Sequence, residues 1–220
     1  MLIDNTVVGT FTPGSTSYAV YSTSGIAVTA GAHTIQFLGL DPDNLDNTAF
    51  IDLVRINPVQ VASIINDPGF ETPNVGTGTY GAFQYQPSGS PWTFGAGAGV
   101  AGNGSGFTDG NPNAPQGTQV AFLQGFGTAS QSVTFAAGTY SLSFNAAQRG
   151  DANFSYQTFQ VLIDGNVVGT FKPTDTNYSV YTTNSFTVTA GTHTITFVGT
   201  DPDSQDNTAF IDQVQVFQLK

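Results

Sequence analysis

Residues 158–171, TFQVLIDGNVVGTF, decide the fold class of the chain. Two apolar runs flank Asp164-Gly165, a dipeptide that suits a tight turn between antiparallel strands. In the first run, Phe159, Val161 and Ile163 recur at every second position, which is the period of a β-strand with one buried face. The stretch therefore predicts a β-hairpin.

The same alternation recurs along the chain and predicts many further strands. They are expected near 61–65, 83–86, 119–123, 131–135, 139–146, 178–182, 185–189, 193–197 and 208–217. Residues 95–118 are rich in Gly, Asn, Ala and Pro with little alternation, and we expect a long loop there. Short strands separated by turn residues predict an all-β fold, either a sandwich or a barrel.

The composition supports this fold class and excludes several functions. The 220 residues include 26 Gly and 11 Pro, only 9% are charged, and the net charge is −11. Such a charge disfavours nucleic acid and anionic membrane surfaces as partners, because both attract clustered Lys and Arg. The sequence has no Cys, which excludes disulfides and zinc–thiolate sites. We expect no membrane insertion and an extracellular or cell-surface location. No signal peptide is visible, so we expect a mature protein or a piece of a longer one.

An internal repeat organises the chain. Residues 2–57 align without a gap on residues 162–217, with 34 of 56 positions identical, whereas residues 58–161 occur once. We therefore expect residues 1–57 to be the C-terminal half of one repeat and residues 58–217 to be a complete repeat of a tandem-repeat protein. The alternative is that the first 57 residues are adventitious. We expect residues 1–57 to dock on a neighbour, in cis or in trans, because a half-unit lacks strand partners.

Asp212 is the residue that points most directly to a metal. It shares its alternation phase with Phe210, Val214 and Val216, so we expect it on a buried face. A buried carboxylate needs a cation or several hydrogen-bond donors. Only four Lys and Arg residues are available to pair with fifteen acidic residues, so a metal ion is a plausible partner for Asp212. Calcium suits a site built of oxygen ligands. The alternative is that Asp212 accepts backbone N–H groups.

Short motifs at the start, middle and end of residues 58–217 resemble those of a known family. The motifs are NDPGFETP at 66–73, GTQVAFLQG at 117–125, SQSVTF at 130–135, GTYSLSFNAAQR at 138–149 and TAFIDQVQV at 208–216. They resemble carbohydrate-binding modules of the galactose-binding-domain-like jelly-roll type, here as a tandem-repeat unit of a bacterial extracellular protein. The resemblance implies an antiparallel jelly-roll β-sandwich with a structural calcium between the first and last strands. It makes Glu71 and Asp212 side-chain ligands, with Asp67 a weaker candidate.

Two further acidic positions are candidates for calcium. Asp201, Asp203 and Asp206 alternate in one loop, which suits either a hard cation or a solvated turn. Asp52 is the counterpart of Asp212 in the first copy, but no Glu accompanies it there. We expect its site to be incomplete unless a neighbour supplies a ligand.

A sugar-binding surface is expected from aromatic and amide side chains. The candidates for ligand binding are Tyr85, Trp92, Gln148, Arg149 and Tyr156. Trp92 is the sole Trp, and the favoured interpretation places it in the core because of its large apolar area. Arg149 could hold a sugar hydroxyl, and the favoured alternative is a bridge to a surface acid such as Asp151.

No catalytic constellation is evident in the sequence. Glycoside hydrolysis needs two facing carboxyl groups, and the chain has a single Glu. His33 and His193 occupy equivalent repeat positions, and we expect them to be structural. The predicted function is a non-catalytic, extracellular carbohydrate-binding module stabilised by calcium. The alternative is a structural or adhesive, self-assembling repeat of a large cell-surface protein, with residues 1–57 paired to a neighbouring module.

Overall fold

The chain is described by a computed structural model and divides into two compact units, Met1–Val59 and Gln60–Leu219. The structure describes residues 1–23, 25–26, 32–41, 47–56, 59–60, 64–151, 156–201 and 206–219. The first unit holds three short antiparallel strands: β1 (Leu2–Ile3), β2 (Thr6–Val7) and β3 (Ile35–Gln36). A two-residue strand, β4 (Val59–Gln60), follows.

The described residues from 64 to 219 form twelve strands. These are β5 (Phe83–Tyr85), β6 (Thr93–Phe94), β7 (Ala98–Gly102), β8 (Gln119–Gln124), β9 (Thr128–Phe135), β10 (Gly138–Gln148), β11 (Phe159–Ile163), β12 (Asn166–Phe171), β13 (Ser179–Thr182), β14 (Phe186–Val188), β15 (Gly191–Gly199) and β16 (Thr208–Leu219). One sheet has the order β13-β10-β16-β8-β7-β5, with β14 also paired to β10. The other has the order β12-β11-β15-β9-β6. The predicted all-β, antiparallel jelly-roll sandwich is confirmed.

No helix among the described residues has the length and apolar character needed to cross a membrane.

One continuous apolar core lies between the two sheets of the second unit. Alternation places Leu142 and Phe144 of β10 in this core, opposite Ile195 and Phe197 of β15. Trp92 is buried with them, its ring centroid 6.0 Å from that of Phe197. Since burying large apolar side chains is the main favourable term in folding, this layer holds the sandwich together.

The predicted hairpin at Asp164-Gly165 is present. Ile163 of β11 pairs with Asn166 of β12, so the turn has two residues. Both take positive φ, 49° at Asp164 and 80° at Gly165. This is the backbone of a type I′ turn, whose twist matches that of the flanking strands.

The expectation of an uninterrupted loop over 95–118 is wrong, because strand β7 lies inside it. All five residues of β7 are buried, so the strand has no solvent face and no alternation to detect. Its small side chains are required by close packing. A Cβ on Gly99 would lie 2.0 Å from the carbonyl oxygen of Gln84, and one on Gly102 would lie 1.8 Å from that of Gly76.

The alternation of β16 also breaks at a β-bulge. Its register with β10 shifts between Ser143 and Asn145, and Gln213 takes a positive φ of 51°. As predicted, Phe210 and Asp212 are buried, but they lie on the opposite sheet face from Val214 and Val216. The expectation that all four share one face is therefore wrong, since one inserted residue reverses every side chain beyond it.

The predicted strand at 61–65 falls partly outside the described residues, at 61–63.

Candidate functional site

Two buried glutamines fix the segment that opens the second unit. Gln131 of β9 accepts the N–H of Asn66 and donates to its carbonyl, both at 2.8 Å. Gln119 of β8 donates to the carbonyl of Pro73 at 2.8 Å and accepts the N–H of Val75 at 3.0 Å. The indole nitrogen of Trp92 donates to the carbonyl of Asp67 at 2.9 Å. The segment between these anchors carries two of the predicted metal ligands.

Asp212 joins the closing strand to this opening segment. Its carboxylate is fully buried and accepts the backbone N–H groups of Gln116 and Gln213, each at 2.7 Å. The N–H of Val214 donates to the carbonyl of Pro68 at 2.9 Å. Asp212 therefore lies where the first and last segments of the unit meet.

Burial raises the pKa of Asp212 to about 7, against the opposing effect of its two N–H donors. The negative charges of Glu71 and Asp67 raise that pKa further. A cation beside Asp212 would offset both effects.

The oxygens of Glu71 and Asp67 are held by local hydrogen bonds. Glu71 Oε1 accepts the N–H groups of Thr118 at 2.9 Å and Gln119 at 3.0 Å. Asp67 accepts those of Glu71 at 2.7 Å and Thr72 at 2.9 Å. Glu71 Oε2 and both carboxylate oxygens of Asp67 each accept one of the hydrogen bonds that hold these groups and keep a second lone pair. Hard oxygen donors of this kind fit calcium.

Within the described parts of the chain, no group of three His, Cys, Asp or Glu side chains is arranged to hold a metal ion. A calcium ion near Asp212 would therefore need carbonyl or water oxygens in addition to carboxylates, which is common for this ion.

The other acidic residues predicted as calcium ligands have different partners in the structure. Asp201 is buried and accepts the side-chain amide of Asn207. Asp206 is ion-paired to Arg149, and Asp203 lies outside the described residues. Asp52 is exposed and accepts the N–H of Leu53 at 2.7 Å.

A polar cluster surrounds Arg149, which follows the end of β10. Its Nη1 lies 3.1 Å from Asp206 Oδ2, and its Nε lies 3.2 Å from Asp151 Oδ1. Its Nη2 donates to the carbonyl of Gly106 at 2.8 Å, and the guanidinium lies 4.4 Å from the ring centroid of Phe107. The predicted bridge to Asp151 is present. Sequence reasoning missed the pairing with Asp206, because that residue lies in a distant loop.

Tyr85 extends this cluster to the surface. Its hydroxyl donates to Gln124 Oε1 at 2.8 Å, and the amide nitrogen of Gln124 donates to Asp206. Burial, followed by the charge of Asp206, raises the pKa of Tyr85, so the phenol stays protonated at neutral pH. The ring edge packs on Phe122, 4.8 Å between centroids, while the side chain remains part-exposed. Gln124 was not predicted, although a Gln at the end of an apolar strand is a usable signal.

Tyr80 lies against Gly106, whose carbonyl oxygen Arg149 binds, and is 81% exposed. Its carbonyl accepts the N–H of Gly106 at 2.9 Å, and a Cβ on Gly106 would lie 2.5 Å from the tyrosine ring. We call the set Tyr80, Tyr85, Gln124, Arg149 and Asp206 the tyrosine–arginine surface.

The remaining predicted ligand-binding residues lie elsewhere in the structure. Trp92 is buried in the core and presents no ring face to solvent, which agrees with its structural interpretation. Gln148 is buried, and both ends of its amide bond the backbone of Gln157. Tyr156 is part-exposed, with the Lys172 ammonium 5.7 Å from its ring centroid. We therefore leave Trp92 and Gln148 out of the candidate surface.

His193 braces the β11–β12 turn. Its Nδ1 lies 2.6 Å from Asp164 Oδ2, and its Nε2 lies 3.0 Å from the carbonyl oxygen of Thr189. In the first unit, His33 lies 2.6 Å from Asp4 in the same way. The carboxylate raises the pKa of His193, and the histidine lowers that of Asp164. This geometry is that of a structural histidine.

Comparison with solved structures shows that the fold of this chain is a known one. The chain resembles TmCBM61, a carbohydrate-binding module solved in complex with β-1,4-galactotriose, with a TM-score of 0.51, 18% identity, and coverage of 72% of this chain and 100% of the other. The chain has the jelly-roll fold of a carbohydrate-binding module. Comparison with protein-family models and with curated proteins gives no match.

The same jelly-roll fold is found in an enzyme. The Stig cyclase Fisc from Fischerella sp. TAU, solved in complex with (3Z)-3-(1-methyl-2-pyrrolidinylidene)-3H-indole, matches with a TM-score of 0.53 and 18% identity, covering 72% of this chain and 98% of the other. A CBM36 module in complex with calcium and xylotriose matches over 49% of this chain and 86% of its own, with a TM-score of 0.39 and 25% identity. Fold alone therefore does not decide between binding and catalysis.

Proposed function

We propose that this chain is a non-catalytic, extracellular carbohydrate-binding module that binds a polysaccharide on the tyrosine–arginine surface. The observation that carries the proposal is that two accessible tyrosines, Tyr80 and Tyr85, are connected to the Arg149–Asp206 ion pair. Tyr85 is linked to Asp206 through Gln124, and Tyr80 lies against Gly106, whose carbonyl oxygen Arg149 binds. Such a surface combines the two elements of sugar recognition: apolar ring faces and fixed polar groups.

The polar groups are already held in place before a ligand arrives. Arg149 is buried and anchored by Asp206, Asp151 and the Gly106 carbonyl. Because these side chains are already held in place, few of them lose freedom when a ligand binds, and the entropic cost of binding is low. Asp206 is 40% exposed and retains acceptor capacity for a sugar hydroxyl. The fold shared with a galactotriose-bound module supports this class of ligand.

A binding role fits these residues better than hydrolysis. The single Glu of the chain, Glu71, bonds Thr118 and Gln119 and is not one of the residues of the tyrosine–arginine surface. A glycosidase would need a second carboxyl group positioned across a sugar from the first.

We propose that calcium stabilises the module beside Asp212, with Glu71 and Asp67 as further candidate ligands. The buried carboxylate and its two acidic neighbours support this, because a divalent cation would stabilise the ionised form of Asp212. Calcium and protons would compete for this group, so the ion should stabilise the protein more strongly above pH 7 than below it.

A specific observation also favours the alternative of a structural or adhesive repeat. Phe50, Ile51 and Val54 of the first unit are exposed, as expected for a half-unit that joins a neighbouring module. The two functions are compatible, since a surface repeat can also bind glycans.

A glycan array with calcium, repeated with EDTA, tests the proposed function. We expect saturable binding to at least one oligosaccharide, lost in Tyr85→Ala and retained in Tyr18→Ala, an exposed tyrosine of the first unit. Absence of binding by folded protein would overturn the proposal for the glycans tested.

A further inference from the structure

The last segment of the first unit exposes apolar residues that its copy buries. Phe50 is 75% exposed, whereas its counterpart Phe210 is 0% exposed. The same contrast holds for Ile51 against Ile211 and for Ile56 against Val216. Solvent-exposed apolar residues in such a run mark an interaction surface.

One local feature of the backbone is nevertheless the same in both copies. Leu53 has a φ of 55° and Gln213 a φ of 51°, and each donates its N–H to the preceding aspartate at 2.7 Å. The first copy therefore has at Leu53 the conformation that β16 has at its bulge, although residues 47–56 form no strand. What differs is the surrounding protein.

The second unit shows what covers this segment. Ile211 pairs with Ala146 of β10 on one side and with Ala121 of β8 on the other. Val216 pairs with Leu142, and Phe210 packs in a cluster with Phe122. The covering elements both come from the part of the repeat that occurs once in this chain.

We propose that residues 47–56 are a docking strand for the N-terminal half of a repeat unit, a polypeptide segment of the type 64–161. Its β8-like and β10-like strands would bond to either side of residues 47–56, as β8 and β10 bond to β16. Identical residues at Phe50, Ile51, Asp52 and Val54 provide the same side-chain set for this pairing.

The existing strand pairing identifies the partner as a further half-unit rather than a second copy of this chain. Strands β8 and β10 of residues 58–161 are already bonded to either side of β16. They are therefore not available to residues 47–56 in the same structure. The occupant is a further segment of this type whose own strands are unpaired.

The experiment joins a second copy of residues 64–161 directly to Leu2 of the full chain. The repeat alignment dictates this junction, because Val161 precedes Leu162, the counterpart of Leu2. Hydrogen exchange of the amides of residues 50–56 is then compared with that in the original chain. We expect protection to rise by about 100-fold or more, toward that of residues 210–216. Unchanged exchange in the extended chain, with both grafted and original Trp92 buried by fluorescence, would overturn the proposal.

A matched variant guards against misfolding of the graft. Phe50→Asp with Val54→Asp in the extended chain should restore fast exchange at 50–56 while residues 210–216 stay protected. Protection of residues 50–56 in the original chain alone would also contradict the proposal.

Discussion

Arg149 and Asp206 form an ion pair with Nη1 3.1 Å from Oδ2, in which the guanidinium is buried and the carboxylate is part-exposed. The arginine follows a central strand, and the aspartate lies in the loop before the last strand. Gln124 links the aspartate to the hydroxyl of Tyr85. The pair therefore connects the interior of the sandwich to the surface on which we place the ligand.

Replacing Asp206 by Asn should weaken glycan binding more than it weakens the fold. Arg149 keeps Asp151 and the Gly106 carbonyl as partners in this variant, so the loss of one hydrogen-bonded partner should lower the free energy of unfolding by about 1 kcal/mol. Binding should fall by about 10-fold or more, because the charged acceptor is lost and Arg149 is left less restrained. Titration calorimetry and urea unfolding measure the two effects. Unchanged affinity would remove Asp206 from the site.

Replacing Asp212 by Asn should abolish stabilisation by calcium. In the unsubstituted protein, calcium at about 100 times its Kd should add about 2.7 kcal/mol to the free energy of unfolding, which corresponds to a rise in Tm of roughly 5–10 °C. Differential scanning calorimetry with calcium and with EDTA measures this shift.

Asp52→Asn is the matched control for that experiment, because it changes the equivalent, exposed residue of the first copy. It should leave the calcium shift intact. A calcium shift that survives in Asp212→Asn would place the ion elsewhere.

The His193–Asp164 pair should make stability depend on pH. Asp164 raises the pKa of His193. The contribution of the protonated histidine to the free energy of unfolding is therefore fully present below about pH 6.5, the pKa of a histidine in the unfolded chain. It is lost as the pH rises through the higher pKa of the folded state. The pKa of Asp164 is lowered, so its own contribution requires a pH above about 3.8. His193→Asn should therefore destabilise the second unit more at pH 5.5 than at pH 9. Urea unfolding at both values measures this, with His33→Asn as the control. Equal losses at the two pH values would contradict the ion-pair account.

The same substitution should have a large effect on stability in the second copy and a small effect in the first. Ile211 is fully buried and Ile51 is exposed. Ile211→Asp should unfold the second unit, since an unpaired charge in the core costs several kcal/mol. Ile51→Asp should change stability by less than about 0.5 kcal/mol. Far-UV circular dichroism and urea unfolding compare the variants, and equal losses would show that residue 51 is buried in solution.

Much of this architecture follows from the sequence, and the exceptions have physical causes. Alternation identified β10, β11 and β15 because each has one buried and one less buried face. Strand β7 was missed because it is buried on both faces and built of small residues. The bulge at Gln213 was missed because a single positive φ leaves no periodic signal.

The candidate site was predictable in its short-range parts only. That Glu71, Asp212 and Asp67 bind calcium stays a prediction. The Arg149–Asp206–Gln124 cluster joins three segments that are remote in sequence, and only the strand order brings them together. Burial of Trp92 follows from its size, whereas burial of Gln148 depends on its bonds to the backbone of Gln157.

The most direct test of the account is a titration of the protein with oligosaccharides, beginning with β-1,4-galactotriose and extending to a broad array. We predict saturable binding by the unsubstituted chain, at least a 10-fold loss of affinity in Tyr80→Ala and Tyr85→Ala, and unchanged affinity in Tyr18→Ala. Binding that is indifferent to both tyrosines, or no binding by the folded protein across the array, would contradict a carbohydrate-binding role for this surface.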